Sequence, residues 1–448
     1  MTDRSMLLVA WYFPPDGGAG SQRPHSFATY LPSLGWDLSV FTRRKDHSRS
    51  RLESRDDGLL AESNPQVPVF RVQETGPTDG LDGYAEKYIN SKAGPFCSQL
   101  CTRVEQEQPS VVLISMSPFM LSSVIPRLRA TSKSRIILDL RDPWALDYWP
   151  TISRRYARTQ HSLMLQSLAQ ADGVILNTNQ ARKELLSVLG PQLPKDLEDR
   201  STVIENGFTR NDFEGSVKPY TDHLLITHCG TFLCEQLKSR KSLLKRFKQK
   251  VCLHSRGPVD RTGRTPYYLL EAAGLLAKSD PEIFDALRFR FVGHVDNNLR
   301  ACIDRSPCPE KVELSGYQPH STMIEYLRSS TALFLPCGQL GESVRELIVP
   351  GKTYEYLASA RPIVGALHPG DALDLIMEAG GNHPCLPCSS ESIASALRAL
   401  HAEWSSGVLS GPVPRDPSFL QRFDRAHLAT RLSEFTDKIL SLPPVEGD

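Results

Sequence analysis

Lys352 and Glu355, one helical turn apart, carry the chemistry that this sequence suggests most directly. They follow Pro350 and Gly351 in the segment LGESVRELIVPGKTYEYLASARPIVG (340–365). Proline fits the first turn of a helix, so a helix is predicted to begin here. Amides at a helix N-terminus and a lysine attract an anion, and a carboxylate can accept hydrogen bonds from two vicinal hydroxyls. This pair suits a nucleoside diphosphate with its ribose, and an ordinary capped helix is the alternative.

The chain that must position these residues has no strong charge bias. Its 448 residues are 40% hydrophobic and 23% charged, with a formal net charge of +1. This length predicts two to three domains of about 150 residues, and the small net charge gives no general attraction to nucleic acid or membrane. No apolar run approaches the roughly 20 residues that span a bilayer. The apolar run 6–9 leads directly into WYFPPDGG, so it predicts a strand rather than a signal peptide, and we expect a cytoplasmic protein.

The ten cysteines, which the cytoplasm would keep reduced, suggest little metal chemistry. Cys385 and Cys388 form a single CxxC pair after His383, and Cys97 and Cys101 form an i,i+4 pair on a predicted helix. A structural zinc ion needs four ligands, and only a distant residue would complete either set. We expect no metal site, with buried or loop thiols as the simpler interpretation.

The chain opens with a strand, a glycine loop and a helix. The loop YFPPDGGAGSQR (12–23) places Arg23 where a dinucleotide fingerprint needs its third glycine, which argues against NAD. Flexible glycines and an arginine at a helix start would instead let backbone amides approach a phosphate or sugar. A plain strand-to-helix turn is the alternative. The candidates in this acceptor or phosphate loop are Gly17, Gly18, Gly20, Arg23 and His25.

A second polar group follows the apolar run 135–140, in the sequence Asp139-Leu-Arg-Asp-Pro-Trp144. Ligands bind beyond the carboxyl ends of strands in open α/β sheets, so Arg141 and Asp142 are candidate site residues. An ion pair within this Asp-Arg-Asp set that only holds the loop is the alternative.

The strand-helix pattern begins again after the polar linker GSVKPYTD (215–222). We therefore predict an α/β protein with a first domain at 1–215 and a second at 222–420. A C-terminal helix at about 423–448 is predicted to pack back on the first domain.

The second domain carries a basic insertion at about 234–262. Its segment 238–250 has many basic residues and no acid, and Leu243, Leu244 and Phe247 share one helical face. Peripheral contact with an anionic membrane is one interpretation. A solvated basic helix packed on its apolar edge is the other.

Several segments, in order along nearly the whole chain, resemble those of the retaining GT-B glycosyltransferases, specifically the family 4 group that carries D-L-R-D-P-W. Each segment is weak alone, and the ordered set is specific. They are YFPPDGGAGSQR with LPSLGWDLSVFT, LDLRDPWA, VIENGF, HCGTF with GRTPYYLLEAA, FVGHVD, VELSGYQPHSTMIEYLRSS and PGKTYEYLASARPIV.

The resemblance implies a GT-B fold: two facing Rossmann-like domains with parallel sheets and a cleft between them. It also implies a nucleotide diphosphate-sugar donor held mainly by the second domain and an acceptor held mainly by the first. The acceptor would be a glycan, a lipid-linked glycan or a small hydroxylated molecule, with no nucleic acid as partner.

By this resemblance, Arg264 and Lys352 would neutralise the donor diphosphate and Glu355 would bind the ribose. Fixed protein cations stabilise the charge on a departing nucleoside diphosphate, so no metal or other cofactor is required. Arg141 and Asp142 are the polar candidates for catalysis in the first domain. The remaining predicted donor contacts are Gly230, Thr231, Gly341, Glu342, Glu346, Val349, Pro350 and Gly351.

The sequence departs from the family pattern at two places. The family often has two glutamates separated by seven residues, whereas Leu347 stands eight residues before Glu355 and Glu346 is one residue out of register. The first-domain histidine of many relatives has no clear counterpart in SMSPFML (115–121). We predict a hexosyltransferase-like glycosyltransferase. A GT-B nucleotide-sugar epimerase or hydrolase, or a nucleotide-binding protein that has lost turnover, are the alternatives.

Overall fold

The computed structural model describes residues 4–44, 55–73, 86–116, 118–149, 152–220, 222–238, 253–254 and 256–445. These residues form two compact units. Unit 1 comprises residues 1–147, 151–206 and 425–448, and unit 2 comprises residues 148–150 and 207–424. Most of the basic segment 238–250 lies outside the described residues, so the interpretations of that segment stay predictions.

Unit 1 is built on a seven-stranded sheet in which every neighbouring pair is parallel. Its central strands are nearly continuous apolar runs that are buried along their length, as expected when helices cover both faces of a parallel sheet. The order across the sheet is Val69–Gln73, Asp37–Arg44, Ser5–Ala10, Val111–Ser115, Arg135–Leu140, Gly173–Leu176 and Ser201–Val203.

The helix Arg425–Ser441, at the end of the chain, belongs to unit 1. Its apolar side chains Leu428, Leu432, Phe435 and Ile439 join the core that Phe27 and the central strands also form. The other helices of unit 1 are Ala19–Tyr30, Asp57–Ala61, Glu86–Glu107, Ile125–Thr131, Arg154–Ala169 and Asn179–Val188.

Unit 2 repeats this architecture with six parallel strands. Their order is Val312–Gly316, Leu287–Val292, Leu224–Cys229, Ala332–Pro336, Ile363–Ala366 and His383–Cys385. The short strands Val259–Asp260 and Gln339–Leu340 pair antiparallel. The helices are Tyr267–Ser279, Pro281–Ala286, Asn297–Asp304, His320–Ser329, Lys352–Ala358, Asp371–Ala379, Ser390–Ser405 and Pro417–Gln421.

The predicted α/β class, with two Rossmann-like parallel sheets, is confirmed. Across the ranges given above, no helix combines the length and the apolar character needed to cross a bilayer.

Candidate functional site

Two glycines at the carboxyl edge of the unit 2 sheet bring the backbone close to Lys352. Gly230 follows the strand Leu224–Cys229 with φ 138°, and Gly293 follows Leu287–Val292 with φ 146°. The Gly230 amide donates to the Val292 carbonyl at 2.7 Å, and a Cβ at Gly230 would overlap Lys352 Nζ. Both the backbone conformation and the space therefore require glycine at position 230.

The helix that carries Lys352 has only seven residues, Lys352–Ala358. Pro350 and Gly351 immediately precede it, and the Thr353 amide donates to the Pro350 carbonyl at 2.9 Å. A macrodipole needs several aligned peptide units, so such a short helix supplies little of the positive charge expected here. The charge available to an anion comes mainly from Lys352 itself.

Lys352 is a largely enclosed cation. Its Nζ lies 3.4 Å from Nε2 of His228. Burial, and to a smaller extent the nearby Arg264 guanidinium, lower the pKa of Lys352 to about 8. The Glu355 carboxylate acts in the opposite direction on this pKa, and its own described ion pair is with His320. An anion bound here would stabilise the ammonium, because like charge and loss of water both oppose it.

Arg264 closes the turn Thr262–Arg264, and its side chain is exposed. Its guanidinium carbon lies 5.7 Å from the centroid of the Trp149 ring, within cation–π range. The charges of Arg264, Lys352 and Glu346 all act on the Cys337 thiol, so these three residues lie in one region. Burial, and to a smaller extent Glu346, raise the pKa of this thiol to about 12, whereas the two cations act in the opposite direction.

Glu346, the glutamate outside the family register, is a buried and hydrogen-bonded carboxylate. Its Oε2 accepts a hydrogen bond from Nε1 of Trp149 at 2.8 Å, and its Oε1 accepts one from the Ile348 amide at 3.2 Å. Leu347, which stands at the family position, is 1% exposed and belongs to the hydrophobic core. The shift in register therefore leaves an acid hydrogen-bonded to Trp149, whose ring also faces Arg264, and places the neighbouring leucine in the core.

Glu355 lies one turn beyond Lys352 on the same helix and is mostly buried. Its Oε1 is 2.9 Å from Nε2 of His320, the first residue of the helix His320–Ser329. This contact holds the carboxylate in a defined orientation. Glu355 is consequently a carboxylate held in one orientation, and its contact with a ribose stays a prediction.

The other residues predicted to bind the nucleotide-sugar donor differ in their exposure. Thr231 and Glu342 are exposed, Gly341 is partly exposed beside Pro258, and Val349 is buried in the core. Their contacts with a donor stay predictions.

In unit 1, Asp139 forms an ion pair with a distant arginine and not within the Asp-Arg-Asp set, where an internal pair was the alternative interpretation. Arg23 and Asp139 form a bidentate pair, with Nη2 at 2.7 Å from Oδ1 and Nε at 2.9 Å from Oδ2. Arg23 also donates to the Glu205 carbonyl at 2.6 Å, and both charged groups are buried. In this structure the hydrogen bonds of Arg23 join separate segments of unit 1. A phosphate would have to compete with Asp139 for the Arg23 guanidinium.

Arg141 and Asp142 lie together beyond the strand Arg135–Leu140 and are partly exposed. Arg141 donates to the Gly20 carbonyl, and the Asn177 side-chain amide donates to the Arg141 carbonyl. Burial raises the pKa of Asp142, and Arg141 opposes this shift. The structure thus joins the glycine loop to the Asp-Leu-Arg-Asp-Pro-Trp segment, two features that the sequence suggested separately.

His25 is buried in the helix Ala19–Tyr30. Burial, and then the Arg425 charge, lower its pKa to about 4, so it is neutral at pH 7. Gly18 is exposed with φ 83°, a conformation that favours glycine, while Gly17 and Gly20 are partly exposed.

Sequence reasoning missed three residues of this region: Trp149, His228 and His320. Each contacts a predicted site residue from a distant part of the chain, at separations of 197, 124 and 35 residues. The only local signal was that His228, an ionisable residue, lies in a largely apolar strand.

The described residues contain no cluster of three or more His, Cys, Asp or Glu side chains suited to a metal ion. Their nine cysteines are all free thiols.

Two Rossmann-like parallel sheets in one chain are the fold of the GT-B glycosyltransferases. The family match is to glycosyltransferase family 4, whose model covers residues 21–211. The predicted resemblance to the GT-B glycosyltransferases of family 4 is therefore confirmed, whereas the retaining D-L-R-D-P-W subgroup stays a prediction. The match supports a transferase. No curated protein sequence matches the chain.

Solved structures give the same fold over the full chain. Sucrose-phosphate synthase from Thermosynechococcus elongatus superposes with a TM-score of 0.65 at 13% identity, covering 97% of this chain and 98% of that one. A glycosyltransferase from Rickettsia africae gives 0.61 at 13% identity, with 99% and 100% covered. UDP-GlcNAc 2-epimerase from Neisseria meningitidis, bound to UDP-GlcNAc, gives 0.54 at 12% identity, with 97% and 100% covered.

Proposed function

We propose that this protein transfers a sugar from a nucleoside diphosphate-sugar to a hydroxylated acceptor, with retention of configuration. The donor diphosphate would contact Lys352 and Arg264, and the ribose would contact Glu355. The acceptor, a glycan, lipid-linked glycan or small molecule, is assigned to unit 1, as the resemblance implies.

The observation that carries this proposal is the enclosed charge of Lys352. Its pKa is lowered to about 8 by burial and by Arg264, and its described hydrogen-bond partner is a histidine rather than a carboxylate. A cation kept in such surroundings is poorly stabilised until an anion arrives. Departure of a nucleoside diphosphate builds negative charge on its oxygens, and two fixed cations stabilise that charge in the transition state.

Glu355 adds the second part of the argument. It lies three residues after Lys352, and His320 orients its carboxylate. A nucleoside diphosphate carries ribose hydroxyls near its phosphates, so one helix face would bind both groups. Binding of the diphosphate to Lys352 and of the ribose to Glu355 would explain why the cation and the acid lie three residues apart on one helix.

Thermal unfolding in the presence of UDP-, GDP-, ADP- and dTDP-sugars tests donor binding. A ligand at about 100 times its dissociation constant adds about 2.7 kcal/mol to stability. UDP-sugars come first, because UDP-GlcNAc is bound in the Neisseria epimerase structure. We expect one nucleotide to raise the Tm of the wild type and to raise that of Lys352→Ala much less.

Product analysis with the stabilising donor then separates the candidate functions. Acceptor-dependent loss of the sugar supports the transferase. Acceptor-independent release of the nucleotide indicates a hydrolase, and sugar interconversion indicates an epimerase, which the similarity to the Neisseria enzyme makes the second candidate. Binding without any turnover would mean an inactive nucleotide-binding protein. We expect transfer to persist in the presence of EDTA, because protein cations perform the role of a metal.

A further inference from the structure

His228 is a histidine buried in an apolar core. It is 1% exposed and lies in the strand Leu224–Cys229, beside the central strand Ala332–Pro336. Its ring stacks on Phe232, with centroids 4.2 Å apart and planes 26° apart. Both ring nitrogens of a buried histidine need partners, since an unpaired buried polar group costs stability.

The partner of Nδ1 determines the tautomer. Nδ1 lies 2.9 Å from the carbonyl oxygen of Phe334. A carbonyl oxygen only accepts hydrogen bonds, so Nδ1 carries the proton and donates. In the neutral ring Nε2 then holds a lone pair, which acts as an acceptor.

The partner of Nε2 is the ammonium of Lys352, at 3.4 Å. An ammonium only donates, so its proton and the Nε2 lone pair are complementary. Burial lowers the pKa of His228 well below its usual value, and the Lys352 and Arg264 charges lower it further. The ring is therefore neutral at pH 7, and this complementarity holds there.

We propose that His228 is a positioning residue for the donor diphosphate. Its neutral ring, anchored by the Phe334 carbonyl, accepts one ammonium proton of Lys352 and leaves the other two for phosphate oxygens. The inference rests on the proposed function, which supplies the ligand, the donor diphosphate. The pairing of His228 with Lys352 is independent of that function.

A histidine suits this position better than a carboxylate would. A carboxylate would also hold the ammonium, but its charge would cancel the positive charge that attracts the diphosphate. The neutral imidazole orients Lys352 and preserves its charge. The other titratable groups that influence Lys352 are Cys229, Arg264, Cys337 and Glu355, and the Gly230 backbone closes one side.

Two matched variants separate the two nitrogens. His228→Asn keeps an amide donor near the Nδ1 position and removes the Nε2 acceptor. His228→Gln places an amide oxygen near the Nε2 position, where it can accept from Lys352. Thermal unfolding checks the fold of each variant, and His228→Phe removes both nitrogens.

The first measurement uses no ligand and follows the rate at which acetic anhydride modifies Lys352 as pH varies, read by mass spectrometry. We expect the pH midpoint of this modification rate, which reports the pKa of Lys352, to fall in His228→Asn, because the ammonium has lost an acceptor, and to recover in His228→Gln.

The second measurement is the Kd for UDP at pH 7.5. We expect about tenfold weaker binding for His228→Asn and most of the affinity regained for His228→Gln.

If folded His228→Asn keeps both the wild-type pH midpoint of Lys352 modification and the wild-type Kd for UDP, the inference is overturned. If the wild type fails to bind any nucleotide but the midpoint still falls in His228→Asn, the proposed function is wrong while His228 still positions Lys352. If UDP binds the wild type, and His228→Asn and His228→Gln bind it with the same Kd, the inference is wrong and the proposed function stands.

Discussion

The indole N–H of Trp149 donates to Oε2 of Glu346 at 2.8 Å, and the same indole ring lies 5.7 Å from the guanidinium carbon of Arg264. One side chain thus contacts both a proposed diphosphate cation and the acid of the preceding loop. Gly338 makes room for this ring, since a Cβ there would overlap it. Trp149 therefore fixes the relative positions of Arg264 and Glu346.

Trp149→Phe keeps an aromatic face for Arg264 and removes the hydrogen bond to Glu346. Because Glu346 is buried, loss of this donor should lower the free energy of unfolding by about 1–3 kcal/mol. If Glu346 faces the sugar, kcat should fall about tenfold while the Kd for free UDP stays unchanged. Chemical denaturation and donor kinetics measure the two effects.

Glu346→Gln is the matched control for this pair, because its amide oxygen can still accept from Trp149. A double-mutant cycle of Trp149→Phe with Glu346→Leu, which removes the acceptor, should show coupling between positions 149 and 346. Additive effects on both stability and kcat would contradict the role assigned to Trp149.

Glu355→Ala should weaken binding of UDP by about 1–3 kcal/mol, because the ribose hydroxyls lose their acceptor. The sharper test compares UDP with 2′-deoxy-UDP by calorimetry. The wild type should prefer UDP, and Glu355→Ala should bind the two nucleotides equally. Glu325→Ala, at an exposed position on the helix His320–Ser329, is the control and should keep the wild-type preference. A preference that survives in Glu355→Ala would remove Glu355 from the ribose site.

The fold was predictable because it depends on local patterns. The strands Ser5–Ala10 and Arg135–Leu140 are buried at every position after the first, and the glycine and proline breaks around such apolar runs mark the connections. The placement of Lys352 and Glu355 one turn apart on one helix was predictable for the same reason, while their roles stay predictions.

The missed contacts are all long-range. Trp149 meets Glu346 across 197 residues and His228 meets Lys352 across 124, so no spacing in the sequence signals them. The ion pair that was the alternative interpretation of the Asp-Arg-Asp set shows the same limit. Asp139 pairs with Arg23, 116 residues away, and not with the adjacent Arg141. Such pairs depend on which strands become neighbours, and local propensity does not determine that.

The lowered pKa of Lys352 predicts pH-dependent nucleotide binding. With a pKa of about 8 in the free protein, the ammonium loses its charge as pH rises through 8. A diphosphate binds the charged form, so affinity for UDP should fall above pH 8 by up to tenfold per unit. Lys352→Arg stays charged, so its Kd should be constant from pH 7 to 9. Calorimetry at several pH values measures both profiles, and a flat wild-type profile would contradict the prediction.

The same shift makes Lys352 unfavourable for folding at neutral pH. Below pH 8 the side chain is charged in both states, and its burial costs stability. Between about 8 and its usual 10.5, the unfolded chain binds more protons, so this cost shrinks as pH rises. Lys352→Met should therefore have a higher Tm than the wild type at pH 7, with the gap closing toward pH 10. Lys278→Met, at an exposed position, should show no such trend.

The Arg23–Asp139 pair tests whether Arg23 is held by the fold or available to a ligand. Asp139→Ala would leave a buried guanidinium without its carboxylate, which should lower the free energy of unfolding by about 3–5 kcal/mol. Replacing both residues, as in Arg23→Met with Asp139→Leu, should restore most of that loss because no charge stays buried. The exposed pair Arg55–Asp57 has the same 2.7 Å separation, and Asp57→Ala should cost at most about 1 kcal/mol. Urea unfolding with an unchanged m-value measures all three. Equal costs for Asp139→Ala and Asp57→Ala would mean that Asp139 does not hold Arg23, which would then be available to a phosphate.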